Sequence, residues 1–191
     1  MNKKKYINIC IIGIGYVGLP LAVQLSNYFS IIAFDKNKKR IKELQNTYDS
    51  NNEITRHELK NEKLFFTHNK NDIIKCNVFI VAVPTPVKKN KLPDLALLSN
   101  AIKTFSQKLK KDDTIIFEST FYPGLTEEFC IPLIEKHSKL KLNKDFLVGY
   151  SPERINPGDK IRKIGNIKKV ISGSSPEAEK ILTYIYKKSI P

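Results

Sequence analysis

Closely spaced glycines, a few hydroxyls and isolated carboxylates mark where this sequence can do chemistry. Gly13, Gly15 and Gly18 close a β-branched run, Ile7-Asn-Ile-Cys-Ile-Ile12, and a helical pattern, Leu19-Pro-Leu-Ala-Val-Gln-Leu25, begins at once. Gly13 permits a turn out of a strand, and Gly15 lacks the Cβ that would keep a pyrophosphate off the backbone. Gly18 lets the new helix lie close on the strand. The unpaired amides and positive dipole end of that helix, around Tyr16 and Val17, then face the phosphates. Asp35 follows a second apolar run, Ile31-Ile-Ala-Phe34, 20 residues beyond Gly15. A carboxylate there accepts both hydroxyls of an adenosine ribose and repels a 2′-phosphate. Turn, strand and acid together specify a dinucleotide site of the NAD type.

A second group gathers wherever later strands end: Thr85, then Glu118-Ser119-Thr120, then Ser151 to Asp159. Glu118 leaves a strand, and reads equally as a functional acid or as an internal acceptor for turn amides. Thr120 taken alone reads as a turn cap. Glu153 stands beside Arg154, an ion-pair arrangement weakened because adjacent side chains seldom face each other. His57, His68 and His137 lie in polar segments and form no ligand set. Cys10, Cys76 and Cys130 lack any metal spacing and read as small buried hydrophobes, so no metal site is expected.

The elements that must position these groups alternate. Strands are expected over 6–12, 31–34, 64–67, 78–83, 114–117, 146–150 and 169–173. Helices are expected over 16–28, 38–45, 55–61, 70–75, 95–110, 126–136 and 177–187, with Thr55 capping the third. Val78-Phe-Ile-Val-Ala-Val83 is continuously apolar, as suits a parallel strand covered on both faces. Strands alternating with helices predict an α/β fold with a doubly wound parallel sheet, a Rossmann-type domain over residues 1–191. In such sheets ligands bind at the carboxyl ends of the strands, where both groups of residues fall.

Composition agrees with a globular chain: 191 residues, 41% hydrophobic. The formal net charge of +14 comes largely from lysines scattered among Asn and Ile, which reads as a solvated surface that favours anionic ligands and not as a nucleic-acid footprint. Lys3-Lys4-Lys5 ahead of an apolar run imitates a leader sequence, but the dinucleotide pattern accounts for the glycines in that run, so a buried first strand and no membrane anchor are expected. Three unpaired cysteines suggest a reducing cytoplasm.

Four ordered blocks carry a resemblance that spans nearly the whole chain. Gly13-x-Gly-Tyr-Val-Gly-Leu-Pro-Leu-Ala22, Val83-Pro-Thr-Pro86, Glu118-Ser-Thr-Phe-Tyr-Pro-Gly-Leu-Thr-Glu-Glu128 and Tyr150-Ser-Pro-Glu-Arg-Ile-Asn-Pro-Gly-Asp159 resemble the UDP-glucose/GDP-mannose dehydrogenase family. The last two blocks look most like its bacterial branch acting on UDP-N-acetylhexosamines. The resemblance implies oxidation of the C6 alcohol of a UDP-sugar to a carboxylate with two NAD and no metal, for surface polysaccharide precursors, in a homodimeric enzyme. It implies that Tyr16 and Val17 bind the pyrophosphate, Asp35 the ribose, Arg40 the adenine side and Thr85 the nicotinamide end. Thr120 then positions a catalytic water, Glu153 assists proton transfer and thioester hydrolysis, and Arg154 lies near the sugar. The family's cysteine nucleophile, its oxyanion-stabilising lysine and asparagine, its linking helix and its second nucleotide-sugar domain match nothing in these 191 residues. The expectation is therefore the NAD-binding part of such an enzyme, inactive alone. Other readings are a non-catalytic nucleotide-binding or regulatory domain, and a 3-hydroxyacyl or 6-phosphogluconate type of dehydrogenase, in which the Glu118 and Ser151 blocks are not expected.

Overall fold

The computed structural model describes residues 6–153 and 168–190. Strand β1 (Asn8–Ile12) leads through the glycine turn into helix α1 (Gly18–Ser26), followed by β2 (Ser30–Phe34) and α2 (Lys38–Gln45). Then come β3 (Leu64–Thr67), β4 (Val78–Val81), α3 (Ala96–Ser106), β5 (Asp113–Phe117) and α4 (Ile131–Ser138). β6 (Phe146–Tyr150), a short β7 (Ser172–Gly173) and α5 (Pro176–Ser189) complete the order. The sheet runs β3-β2-β1-β4-β5-β6-β7, so the winding reverses between β1 and β4. That reversal opens the crevice in which doubly wound sheets bind ligands.

Alternation along the strands builds two cores. Ile9 and Ile11 of β1 pack with Ile31, Ala33, Ile80 and Ile116 on the face covered by α1, α2 and α5. Cys10 and Ile12 point the other way, into Phe79, Val81, Ile115 and Phe117 under α3 and α4. Burial on both faces is why β4 reads as an unbroken apolar run.

Four expectations need correction, one of them the helix over 70–75, which is only a 3-10 turn, Asp72–Lys75. The final strand pairs antiparallel with β6, through Gly149↔Gly173 and Tyr150↔Ser172, so the sheet is parallel except at this edge. Two glycines make the edge possible: a Cβ on Gly149 would lie 2.5 Å from Leu182 Cδ2, and one on Gly173 would lie 2.6 Å from the Glu179 amide nitrogen. Helix α5 thus lies directly against the pair. The expected helix over 55–61 is only a 3-10 turn, Glu58–Lys60. Its entry is a reciprocal cap, in which the Thr55 amide donates to Glu58 Oε2 at 2.8 Å and the Glu58 amide donates to Thr55 Oγ1 at 3.4 Å. The expected helix over 126–136 is two structures, a π-helical turn (Thr126–Cys130) running into α4. Pro132 at the start of α4 has no amide to donate, and a helix accommodates that best in its first turn.

Candidate active site

Gly13 leaves β1 with φ +94°, and its amide donates to the Phe34 carbonyl of β2 at 2.9 Å. A Cβ there would lie 2.9 Å from the Ala82 carbonyl oxygen, so the turn is pressed against the end of β4. Gly18 is required for a different reason, since a Cβ on it would meet the Gly13 carbonyl oxygen at 1.8 Å. Gly15 has no such neighbour: nothing lies within 4 Å of the position its Cβ would take. Packing does not explain Gly15, and the space beside it is open. Helix α1 carries no side-chain cap at its N-terminus, which leaves its first-turn amides to other acceptors.

That open space is a cavity of about 640 Å³ at the β1/β4 reversal, lined at one end by Gly15, Tyr16, Val17 and Asp35. At the other end it is lined by Thr85, Glu118, Thr120 and Glu153. Residues from both groups singled out in the sequence therefore meet in one crevice, at the carboxyl ends of the strands. Asp35 is fixed there by two backbone donors, the Ile14 amide to Oδ2 at 2.9 Å and the Asn37 amide to Oδ1 at 2.8 Å. Each carboxylate oxygen keeps further acceptor capacity for a hydroxyl.

Arg40 is the residue expected at the adenine side. Its guanidinium is buried beneath the glycine turn and is not on the cavity wall. Nε donates to the Ile14 carbonyl at 3.1 Å, and Nη2 lies 2.7 Å from Asp49 Oδ1. Asp49 also accepts from the amides of Asn51, Glu53 and Ile54, so this buried pair ties the polar 49–54 segment to the turn. Nothing in the spacing of Arg40 and Asp49 announced that link.

The far end of the cavity is held by cross-links between loops. Thr85 Oγ1 donates to the Thr120 carbonyl at 2.8 Å, and Ser119 Oγ donates to the Val83 carbonyl at 2.8 Å. The Tyr150 hydroxyl donates to the Ser119 carbonyl at 3.2 Å. These bonds fix the turn after β5 and leave Thr120 exposed on the cavity wall. Arg154 and Asp159 lie outside the described residues.

Glu118 is the group that sequence reasoning left divided. It is 1% exposed and takes side-chain donors, from Lys169 Nζ and the Tyr186 hydroxyl. Burial pushes its carboxyl above the ordinary range, Lys169 opposes that rise, and the charge of Glu153 adds to it. Tyr186 is raised as well, first by burial and then by Glu118. Only one faint sign of these partners was present, a tyrosine on the apolar Leu182, Ile185, Tyr186 face of α5.

The thiols are all buried. Cys10 and Cys76 lie within the core, where burial raises the Cys10 thiol, and burial pushes Cys130 up to about 12. A thiol so raised is not a nucleophile near neutral pH. Among the described residues no cluster of His, Cys, Asp and Glu could hold a metal ion.

The NAD-binding domain of the UDP-glucose/GDP-mannose dehydrogenase family matches residues 7–190. This chain belongs to that family. A UDP-N-acetyl-D-glucosamine 6-dehydrogenase of Pseudomonas aeruginosa is 49% identical over 187 residues, covering 97% of this chain and 44% of the relative. Protein CapL of Staphylococcus aureus is 49% identical over 179 residues, covering 94% of this chain and 42% of the relative. Among solved structures, a ternary complex of GDP-mannose dehydrogenase from Pseudomonas aeruginosa superposes with a TM-score of 0.86 at 26% identity, covering 94% of this chain and 44% of that one. The chain thus spans less than half the length of the relatives it matches, and within that span it is an NAD-binding domain.

Proposed function

We propose that this chain is the NAD-binding part of a UDP-N-acetylhexosamine 6-dehydrogenase, which oxidises the sugar C6 alcohol to a carboxylate. The carrying observation is that the Gly15–Asp35 end and the Thr120–Glu153 end share one cavity. NAD supplies the hydride acceptor for each of the two oxidations. The residues of this chain bind and orient it: the glycine turn and the start of α1 take the pyrophosphate, Asp35 takes the ribose, and Thr85 braces the nicotinamide end. Thr120, exposed beside the cavity, holds a water by its hydroxyl. Glu153 receives the proton released as the alcohol is oxidised. The names of the 49%-identical Pseudomonas aeruginosa relative and of other relatives point to an N-acetylhexosamine. A cytoplasmic setting and a homodimer of the longer enzyme, serving polysaccharide precursor synthesis, belong to the same proposal. Three free buried thiols support the first of these.

The 191-residue chain is expected to bind NAD without completing the oxidation. The carboxylate-forming step needs a nucleophile to trap the aldehyde level, and none of its thiols is accessible. Purified chain is to be mixed with NAD and UDP-GlcNAc, UDP-GalNAc or UDP-glucose, with Glu153→Gln as control, and followed by NADH absorbance. No sustained NADH formation is expected. Sustained turnover abolished by Glu153→Gln would overturn the assignment of the incomplete step.

A further inference from the structure

Alternation along β5 puts Ile116 and Glu118 on the face of the sheet covered by α1 and α5, and Phe117 on the other. Glu118 is thus a carboxyl set against an apolar core. One of its oxygens accepts from the Tyr186 hydroxyl and the other from Lys169 Nζ. The Lys169 side chain is 6% exposed, and its ammonium also lies 5.6 Å from the centre of the Tyr186 ring. The three side chains therefore meet from the end of β5, the segment ahead of β7 and the last turn of α5. Stability alone does not account for such a group, because buried charges gain little over apolar side chains of similar volume. Its position does account for it. Glu118 borders the cavity, and the next two residues are bonded to the loop that follows β4. Ser119 donates its hydroxyl to the Val83 carbonyl, and the Thr120 carbonyl accepts from the Thr85 hydroxyl. Thr85 and Thr120 line the cavity at the end opposite Asp35.

We propose that Lys169 and Tyr186 are positioning residues that act through Glu118 on the nicotinamide end of the cavity. The proposal rests on the reading of the crevice as an NAD site. Two donors from separate elements fix the direction in which the Glu118 side chain leaves β5, and with it the path of the Ser119–Thr120 turn. A buried acceptor left without its donor is costly, so the carboxyl shifts toward another partner when either donor is lost. The turn that carries the Thr120 carbonyl, and Thr85 bonded to it, then shifts as well. Asp35 is held separately, by the Ile14 and Asn37 amides, so the adenosine end is indifferent to the change.

The test compares NADH with ADP-ribose, which has the same adenosine and pyrophosphate but no nicotinamide. Calorimetry of the 191-residue chain gives both affinities, and the emission of bound NADH reports the surroundings of its nicotinamide. In Lys169→Met and in Tyr186→Phe, NADH affinity is expected to fall about tenfold, as for one lost hydrogen bond to a charged group. ADP-ribose affinity is expected to stay at the wild-type value, and the emission maximum of bound NADH to move toward that of free NADH. Lys169→Arg, which keeps a charged donor, is expected to restore NADH affinity and emission. Because Lys169→Met leaves Glu118 buried beside one donor, a second chain carries Glu118→Leu, Lys169→Met and Tyr186→Phe together. Its apolar groups fill the same space, so it is expected to unfold cooperatively and to show the same selective loss. Wild-type NADH affinity in that folded chain would overturn the proposal, and so would equal losses for NADH and ADP-ribose. Failure of the wild-type chain to bind ADP-ribose would instead overturn the cofactor reading beneath it.

Discussion

Replacing Asp35 tests how the site tells NAD from NADP. Its carboxylate is anchored by the Ile14 and Asn37 amides at 2.9 and 2.8 Å, so it presents remaining lone pairs to the cavity in a fixed direction. Asp35→Ala removes the ribose acceptors and also frees the Ile14 amide next to Gly15. Hydrogen bonds to a charged acceptor contribute about 1.5–3 kcal/mol each when made, and partial exposure of Asp35 reduces that figure. A net loss of about 1–3 kcal/mol is expected, or roughly 5- to 150-fold weaker NAD binding. NADP should behave oppositely, because the carboxylate that repels its 2′-phosphate is gone and exposed Lys36 also lines the cavity. Asp35→Asn separates the two effects. Its amide oxygen still accepts from Ile14, so the turn stays in place while the charge is lost. Calorimetric titration of wild type and both variants with NAD and NADP gives the four ratios needed. Wild type that binds NADP as tightly as NAD, or an alanine variant with unchanged preference, would refute the placement of the ribose on Asp35.

Two further predictions follow from buried charges. Arg40→Ala leaves Asp49 buried without its cation and should cost about 3 kcal/mol of stability, read from chemical denaturation. NAD binding should weaken too, because the Ile14 carbonyl loses its support. The raised Glu118 carboxyl makes a stability contribution that is complete below its ordinary value near 4.5 and is lost as pH rises through the higher folded value. Stability measured from acid toward neutral pH should therefore decline more steeply in wild type than in Glu118→Gln, and equal slopes would contradict that assignment.

The fold was legible because its devices are local. The β-branched runs, the glycine turn and the switch between strand and helix periodicity are written within short windows, and they fix the order of elements on both sides of the β1/β4 crevice. Gly13, Gly15 and Gly18 were readable individually, and the structure separates their reasons into a left-handed turn, an open cradle and a close helix contact. What stayed hidden depends on distant chain segments meeting. Glu118 comes together with Lys169 and Tyr186 across more than 50 residues, and no spacing rule links them. Arg40 was expected at the adenine side only through the family resemblance, and no spacing rule announced that Asp49 and the Ile14 carbonyl hold it under the turn. The antiparallel edge at β7 was unreadable for the same reason, since a two-residue strand has no periodicity and its direction is set by the β6 register and by α5.

Everything proposed for this chain depends on a dinucleotide seated against Gly15, and one substitution addresses that directly. Open space is all that lies beside the missing Cβ of Gly15, so Gly15→Val should fold with the thermal midpoint of wild type while its side chain occupies the pyrophosphate position. Calorimetric titration with NADH is predicted to show one site per wild-type chain and no binding to a Gly15→Val chain that still unfolds cooperatively. Unchanged NADH affinity in folded Gly15→Val would contradict the account at its centre.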